Sequence, residues 1–274
     1  MSLIDPGSAT DFFSLLSGLR FDPATDRYST SNALWLAELS RLVYRRSGEV
    51  ASHRGRTRND FLKLVGLSEA RFFTDGHSQA LLVQGDTFHV LVFRGTEPLR
   101  LHEDFLTDVH IKFRDWAGGS RVHAGFGDAF DGIWKQIKPA LQSVRTPLFC
   151  TGHSLGGALA TLAASAAPSD GISFVATYTF GSPRVGDTAF AGSIAGLPLY
   201  RVVNDVDLVP HLPFFRFGYR HSPRLAKITH DGHLEFREDT VDSGDRSISL
   251  LTAEKILDHL PMNYVSLLRD ILRS

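Results

Sequence analysis

The chain has 274 residues and a net charge of −1, with 43% hydrophobic and 22% charged residues. That length fits one large α/β domain or two small ones, with ample apolar material for a core. The near-neutral balance supplies no global field to draw nucleic acid or an anionic membrane, and the single cysteine, Cys150, excludes an intrachain disulfide.

Residues 1–30 are rich in Ser, Asp and Pro and read as a partly irregular lead-in. They hold no basic segment followed by a long apolar run, and nowhere is an apolar stretch long enough to span a bilayer. The default expectation is therefore a soluble, cytoplasmic protein without a transmembrane segment. Ala33, Leu34, Leu36, Ala37, Leu39, Leu42, Val43 and Tyr44 follow a helical period, predicting a helix from Ser31 to Arg45 capped by Ser31 or Asn32. Residues 48–58 are polar and basic and read as a solvated loop. The stretch from Phe72 to Phe93 reads as consecutive strands, with a hairpin of 80–83 and 88–93 closed by Gln84-Gly85-Asp86. The second of these strands ends at Arg94-Gly95-Thr96, and functional loops of open α/β sheets lie beyond such strand ends.

Ala124 to Val144 has helical spacing, with Phe126, Phe130, Ile133, Trp134, Ile137 and Leu141 along one side. An apolar strand, 147–150, then leads through Gly152-His153-Ser154-Leu155-Gly156 into an Ala/Leu-rich helix reaching about Ala167. A serine hydroxyl is a poor nucleophile unless it is exposed, fixed and paired with a base. A sharp strand-to-helix turn supplies the first two conditions, and it needs residues without bulk around the serine. The same pattern also fits a serine that merely caps a helix on a glycine-rich turn. Cys150, in the apolar strand, reads as buried packing. Further on come a strand at 172–180, a short helix near 188–194, a strand at 198–203 and a hairpin around Asp231-Gly232. Residues 253–272 read as helical with a break at Pro261. Strands and helices alternate without linker or repeat, which predicts one α/β domain over 1–274.

A serine nucleophile needs a histidine base and a carboxylate, which in this strand–turn–helix arrangement follow in the order acid, then histidine. Asp205 and Asp207 both lie just past the strand at 198–203. Leu208-Val209-Pro210 after Asp207 favours an immobilised carboxylate there, whereas Asp205 fits a turn. Among the later histidines, His230 and His233 flank a hairpin turn and read as solvated rather than as metal ligands. His211 and His221 lie close to the acid loop. His259, in Leu257-Asp258-His259-Leu260-Pro261, is placed to fold back over the strand ends.

Six blocks in order resemble the class 3 (fungal-type) lipase family, over roughly residues 80–265. They are Val92-Phe93-Arg94-Gly95-Thr96, Val122-His123-Ala124-Gly125-Phe126, the stretch 152–160 around Ser154, Phe180-Gly181-Ser182-Pro183-Arg184-Val185-Gly186, the stretch 203–213 around Asp207, and Asp258-His259-Leu260. The resemblance implies an α/β-hydrolase fold, with a mostly parallel central sheet flanked by helices and antiparallel edge hairpins. It implies Ser154 as nucleophile, Asp207 as acid and His259 as base, with the oxyanion held by Thr96 and the backbone N–H of Leu155. Val209 and Leu260 match positions lining the family's acyl groove, and His123 and His153 are expected to be structural hydrogen-bonding residues. The implied activity is hydrolysis of acylglycerol-like esters at a transient lipid–water interface, without metal or organic cofactor. Short-chain esterase, phospholipase, feruloyl esterase, amidase and a non-catalytic binding scaffold are the alternatives. The absence of paired cysteines places the chain nearer the family's bacterial branch. Residues 97–106, where the family carries its lid, are short and charged and fit either one amphipathic turn or a solvated loop. The aromatic run 214–219 fits either a wall of the substrate site or core.

Overall fold

A computed structural model describes residues 10–45, 56–76, 78–96, 112–213, 215–222, 224–238 and 258–274. The expected lid, 97–106, and the segment 253–257 lie outside the described residues. Strands β1 (Ser68–Asp75), β2 (Ser78–Gln84) and β3 (His89–Phe93) form an antiparallel meander. β3 then pairs in parallel with β6 (Leu148–His153), followed outward by β7 (Thr177–Phe180), β8 (Leu199–Asn204) and β9 (Arg224–Ile228), all parallel. β10 (Leu234–Glu238) closes that edge as an antiparallel hairpin with β9. Two short strands, β4 (Phe113–Asp115) and β5 (Arg121–His123), pair separately.

The central strands bury both faces, so they read as continuous apolar runs rather than alternating ones. Leu148, Phe149 and Cys150 of β6 are all buried. On one face lie helix α1 (Thr30–Leu42) and the C-terminal helix of 261–273, packed with Phe12, Phe13 and Leu16 of the lead-in. The short helix α2 (Arg58–Lys63), begun by a capping box on Thr57 and Asp60, lies at the β1 edge. On the other face lie α3 (Ala124–Leu141) and α4 (Leu155–Ala166), whose Phe126, Phe130, Ile133, Ile137, Leu159 and Leu162 make the second core. Helix α5 (Thr188–Ser193) joins β7 to β8, and α6 (Pro261–Arg273) ends the chain. The Cys150 thiol is fully buried, and that burial pushes its pKa well above the ordinary value.

Two local expectations need correction. The cap of α1 is Ser29, whose hydroxyl accepts from Asn32 N, while Asn32 itself is buried and bonds both backbone groups of Asp22. The strand expected over 172–180 is only its last four residues. Ile172 instead donates its N–H to Ala167 O, finishing the turn that follows α4. The C-terminal helix begins at Pro261, and the part of the expected helix over 253–257 lies outside the described residues. A proline at the first turn lacks only an N–H that would have no intrahelical acceptor, and its fixed φ suits the helix. His259 thereby sits in the turn before α6, one residue ahead of the Leu260 N-cap.

Candidate active site

The parallel strands point their C-terminal ends to one side of the sheet, and the site assembles there. β6 delivers Ser154 at the first step into α4. Ser154 takes φ 59° and ψ −128°, a conformation costly for a residue with a side chain. That strain is held by Ser154 N donating to Phe180 O at 2.9 Å and by Ser154 O accepting from Gly157 N and Ala158 N. The turn is also sterically closed. A Cβ built on Gly156 would lie 2.3 Å from Phe93 O, so only glycine lets α4 approach the end of β3.

β8 delivers the expected acid, Asp207. Asp207 is fully buried, and its Oδ2 accepts from His259 Nδ1 at 2.7 Å and from the Tyr264 hydroxyl at 2.6 Å. Its Oδ1 accepts from Val209 N at 2.9 Å. Asp205 points elsewhere, pairing with Lys227 Nζ on β9 at 2.8 Å. Of the two carboxylates, Asp207, the one favoured in the sequence, meets His259. The loop after Asp207 is braced from below. Arg184, 1% exposed, donates to the carbonyls of His211 and Pro213, and His221 Nε2 donates to Pro210 O at 2.6 Å. Burial, with the nearby Arg201 and Arg184 guanidiniums, pushes the His221 pKa well down, so it braces the loop as a neutral ring.

Since a carboxylate only accepts, the proton of neutral His259 sits on Nδ1, leaving the Nε2 lone pair bare. Ser154 Oγ, expected to be exposed by the turn, is buried, as is His259 Nε2, and among the described residues neither has a hydrogen-bond partner. Leaving a buried polar atom unsatisfied costs about 1–3 kcal/mol, which a fold tolerates where the atoms serve chemistry. Proton abstraction needs these two atoms to come within hydrogen-bond reach of each other, a bond often long in a free enzyme and tightened by substrate, with the imidazole already backed by a buried carboxylate.

The remaining expected residues fall around this centre. Thr96 lies three residues past β3, and the preceding Gly95 packs so closely that an added Cβ would stand 3.3 Å from Ser154 Cβ. Leu155 is the first residue of α4, where a backbone N–H has no acceptor within the helix. Val209 and Leu260 adjoin the acid and base through the chain itself, Val209 half-buried and Leu260 buried. His123 caps α3, accepting from Phe126 N, and burial pushes its pKa down to about 4. His233 stays on the exposed hairpin turn. The aromatic run divides: Tyr219 is buried and stacked on Phe113 at 4.2 Å, whereas Phe217 is partly exposed on a short 3-10 turn. Phe214 lies outside the described residues.

Sequence reasoning missed Tyr264, the second side chain on Asp207. Burial and the adjacent Asp207 charge hold its pKa well above the ordinary value, so it stays a donor. The available signal was its register, one turn into a helix that starts two residues after His259.

Comparison with known proteins agrees with the fold. The profile of the family described as "Lipase (class 3)" matches residues 90–217. A lipase of Rhizomucor miehei is 34% identical over 198 residues, 67% of this chain and 54% of that protein. The secreted mono- and diacylglycerol lipase 1 of Fusarium solani is 44% identical over 115 residues, 39% of this chain and 34% of its own length. The chain therefore spans about half the length, or less, of these curated relatives. The solved lipase II of Rhizopus niveus superposes with a TM-score of 0.62 at 27% identity, covering 74% of this chain and 82% of that one. The cytoplasmic expectation is corrected here. The Fusarium relative and its counterparts from Penicillium cyclopium and Malassezia globosa are named as secreted, which points outside the cell. With its mostly parallel sheet, antiparallel edge hairpins and strained serine turn, the chain belongs to the class 3 lipase family of α/β-hydrolases.

Proposed function

We propose that the chain, folded as one unit over 1–274, is a serine hydrolase of carboxylic esters, with acylglycerol-like molecules as substrates. The observation that carries this reading is the buried Asp207 Oδ2–His259 Nδ1 pair beside Ser154 on its strained turn, with His259 Nε2 and Ser154 Oγ both left unpaired among the described residues. In the first half-reaction His259 Nε2 takes the Ser154 hydroxyl proton as Oγ bonds to the ester carbonyl carbon. Asp207 and the Tyr264 hydroxyl on it stabilise the imidazolium and hold its ring. The backbone N–H groups of Thr96 and Leu155, with the Thr96 hydroxyl, receive the carbonyl oxygen as it gains charge. The tetrahedral species collapses, the carbonyl–alkoxy bond breaks, and the alcohol leaves with the proton from His259. Water then repeats the sequence on the acyl-serine, returning Ser154 and releasing the acid. Val209 and Leu260, beside the acid and the base, would form the start of an acyl groove.

The test is hydrolysis of p-nitrophenyl esters from short to long acyl chains, below and above their solubility, beside Ser154→Ala and His259→Ala. Activity that rises with chain length and jumps at the interface supports an acylglycerol lipase. Short-chain preference without a jump narrows the reading to an esterase. Activity equal in Ser154→Ala, or a folded wild type that neither hydrolyses esters nor reacts with a fluorophosphonate, overturns it.

A further inference from the structure

His153 precedes the strained serine, is 1% exposed, and takes no part in the proton transfers above. Its ring is bonded at both nitrogens. Nε2 lies 2.6 Å from the main-chain carbonyl oxygen of His259, and Nδ1 lies 3.0 Å from the Tyr44 hydroxyl. A carbonyl only accepts, so Nε2 carries the proton and Nδ1 must accept from Tyr44. The direction of every bond is therefore set: Tyr44 donates to His153, and His153 donates to the backbone of His259. Burial, reinforced by the neighbouring His259, pushes the His153 pKa well down, which keeps the ring in the neutral form this arrangement requires.

The ring also packs against the groups it would position. Its centroid lies 4.5 Å from that of His259 and 5.9 Å from that of Tyr264. Tyr44, just beyond α1, stands where its hydroxyl would be 2.2 Å from a Cβ built on Gly95. One short chain of contacts thus joins the strand end carrying Thr96, the end of α1, the residue before Ser154 and the backbone of His259. Among the described residues, the side chains reaching the main chain of 258–260 are His153 and, more weakly, Asn204, whose Nδ2 lies 3.4 Å from Asp258 O. Asp207 grips only the ring of His259 and so fixes its rotation. The position of its Cα relative to Ser154 needs a separate restraint, and the His153 bond runs from the residue adjoining Ser154.

We propose that His153, oriented by Tyr44, is a positioning residue: it fixes the main chain of His259 beside Ser154 so that the imidazole can close to proton-transfer reach of the hydroxyl. This rests on the esterase reading above. The prediction concerns turnover rather than substrate binding, because His153 acts through the base and not on the ester. A displacement of about 1 Å at a reacting pair can cost about 10²-fold.

The experiment compares Tyr44→Phe, His153→Gln and His153→Phe with wild type, measuring kcat, KM, the rate of fluorophosphonate labelling of Ser154 and the thermal midpoint. Tyr44→Phe removes one hydroxyl and keeps the ring, so it is the variant expected to fold. It should lower kcat by about tenfold, the loss expected when about one ordinary hydrogen bond no longer orients the base. KM should hardly change, and labelling should slow in parallel. His153→Phe should lower kcat by about 10²-fold, and His153→Gln, whose amide N–H can reach the carbonyl, should recover part of that loss. Tyr44→Phe should add nothing in the His153→Phe background, since Tyr44 acts through His153. Turnover and labelling per folded molecule equal to wild type in all variants, with only the thermal midpoint lowered, would make the contact purely structural and overturn the proposal. Additive losses in the double variant would overturn the role of Tyr44. A wild type inert to esters and to the fluorophosphonate would instead remove the reading on which the proposal rests.

Discussion

Asp207 holds three donors on two oxygens, and each has a separable consequence. Asp207→Asn presents an amide N–H where His259 needs an acceptor, so the imidazole turns to the wrong tautomer, a change that costs about 10⁴-fold in turnover in comparable triads. Asp205→Asn should leave kcat within about twofold, because Asp205 meets Lys227 and not the histidine, and a partly exposed pair contributes about 0–1 kcal/mol. Steady-state ester hydrolysis by the two variants decides the matter, and the reverse ranking would reassign the acid. Tyr264→Phe removes the hydroxyl that donates to Asp207 Oδ2 and accepts from Asn204 N at 3.3 Å. Hydrogen bonds to charged groups contribute about 1.5–3 kcal/mol, so the denaturation midpoint and kcat should both fall, kcat by about tenfold. A Tyr264→Phe protein with unchanged turnover would show that the His259 and Val209 bonds alone fix Asp207.

At the scale of the elements, the site is a set of chain ends brought so close that side-chain volume decides its geometry. Gly181, just past β7, has φ 57°, and a Cβ there would stand 2.7 Å from Asp207 Oδ2 and 2.9 Å from His259 Cε1. Gly181→Ala should therefore wedge the acid from the base, lowering kcat by about 10²-fold or more. It should stay folded, because the clashing atoms belong to side chains. Gly156→Ala differs in kind, since its clash is with backbone at Phe93 O, and overpacking against atoms that cannot move costs about 1–3 kcal/mol or more. Thermal midpoints should rank wild type above Gly181→Ala above Gly156→Ala, while Gly192→Ala, with nothing within 4 Å, should not destabilise the fold. Equal midpoints for the two clashing variants would mean that the turn relaxes more easily than its contacts suggest. The same contrast explains what was legible in the chain. The apolar runs of β3 and β6, the helical period of α1 and α3, and the glycines around Ser154 are local patterns, and each could be read directly. The choice of Asp207 over Asp205 had a local cue in Leu208-Val209-Pro210, but the contacts that separate the two are not local, Asp207 with His259 across 52 residues and Asp205 with Lys227. Tyr44 and His153 act through contacts that no spacing encodes, and Tyr264 leaves only its register after His259 as a sign. The α1 cap moved to Ser29 because the amide of Asn32, an equally good cap by type, is taken up by the main chain of Asp22.

At the scale of the whole molecule, the lead-in is tied to both helices of one face by a charged cluster within the apolar core. Glu38 of α1 is fully buried and accepts from Arg41 Nε at 3.0 Å, while Phe13 N reaches its other oxygen at 3.3 Å. Arg41 also reaches Asp11 at 3.2 Å and the Met262 sulfur at the start of α6. Two opposite effects act on Glu38: burial disfavours its charge, and the Arg41 guanidinium favours it. Burial is the larger, and the pKa is pushed up to about 7. A carboxyl raised on folding binds its proton more tightly in the native state than in the unfolded one, so its ionisation works against the fold. Below about pH 4.5 both states hold the proton and no penalty exists. Between there and about pH 7 the penalty grows, and above it the penalty is fully present. Glu38→Gln keeps the shape and removes the ionisation, so its thermal midpoint relative to wild type should rise steadily from pH 5 to pH 8. A difference that instead falls with pH would mean that Arg41 outweighs burial and that the ionised pair stabilises the face. Since Met262 lies three residues after His259, the same titration followed by ester turnover tests whether the cluster merely anchors the lead-in. Unchanged kcat in Glu38→Gln across that range confines the cluster to stability. A kcat that follows the midpoint would carry its influence through α6 to the base.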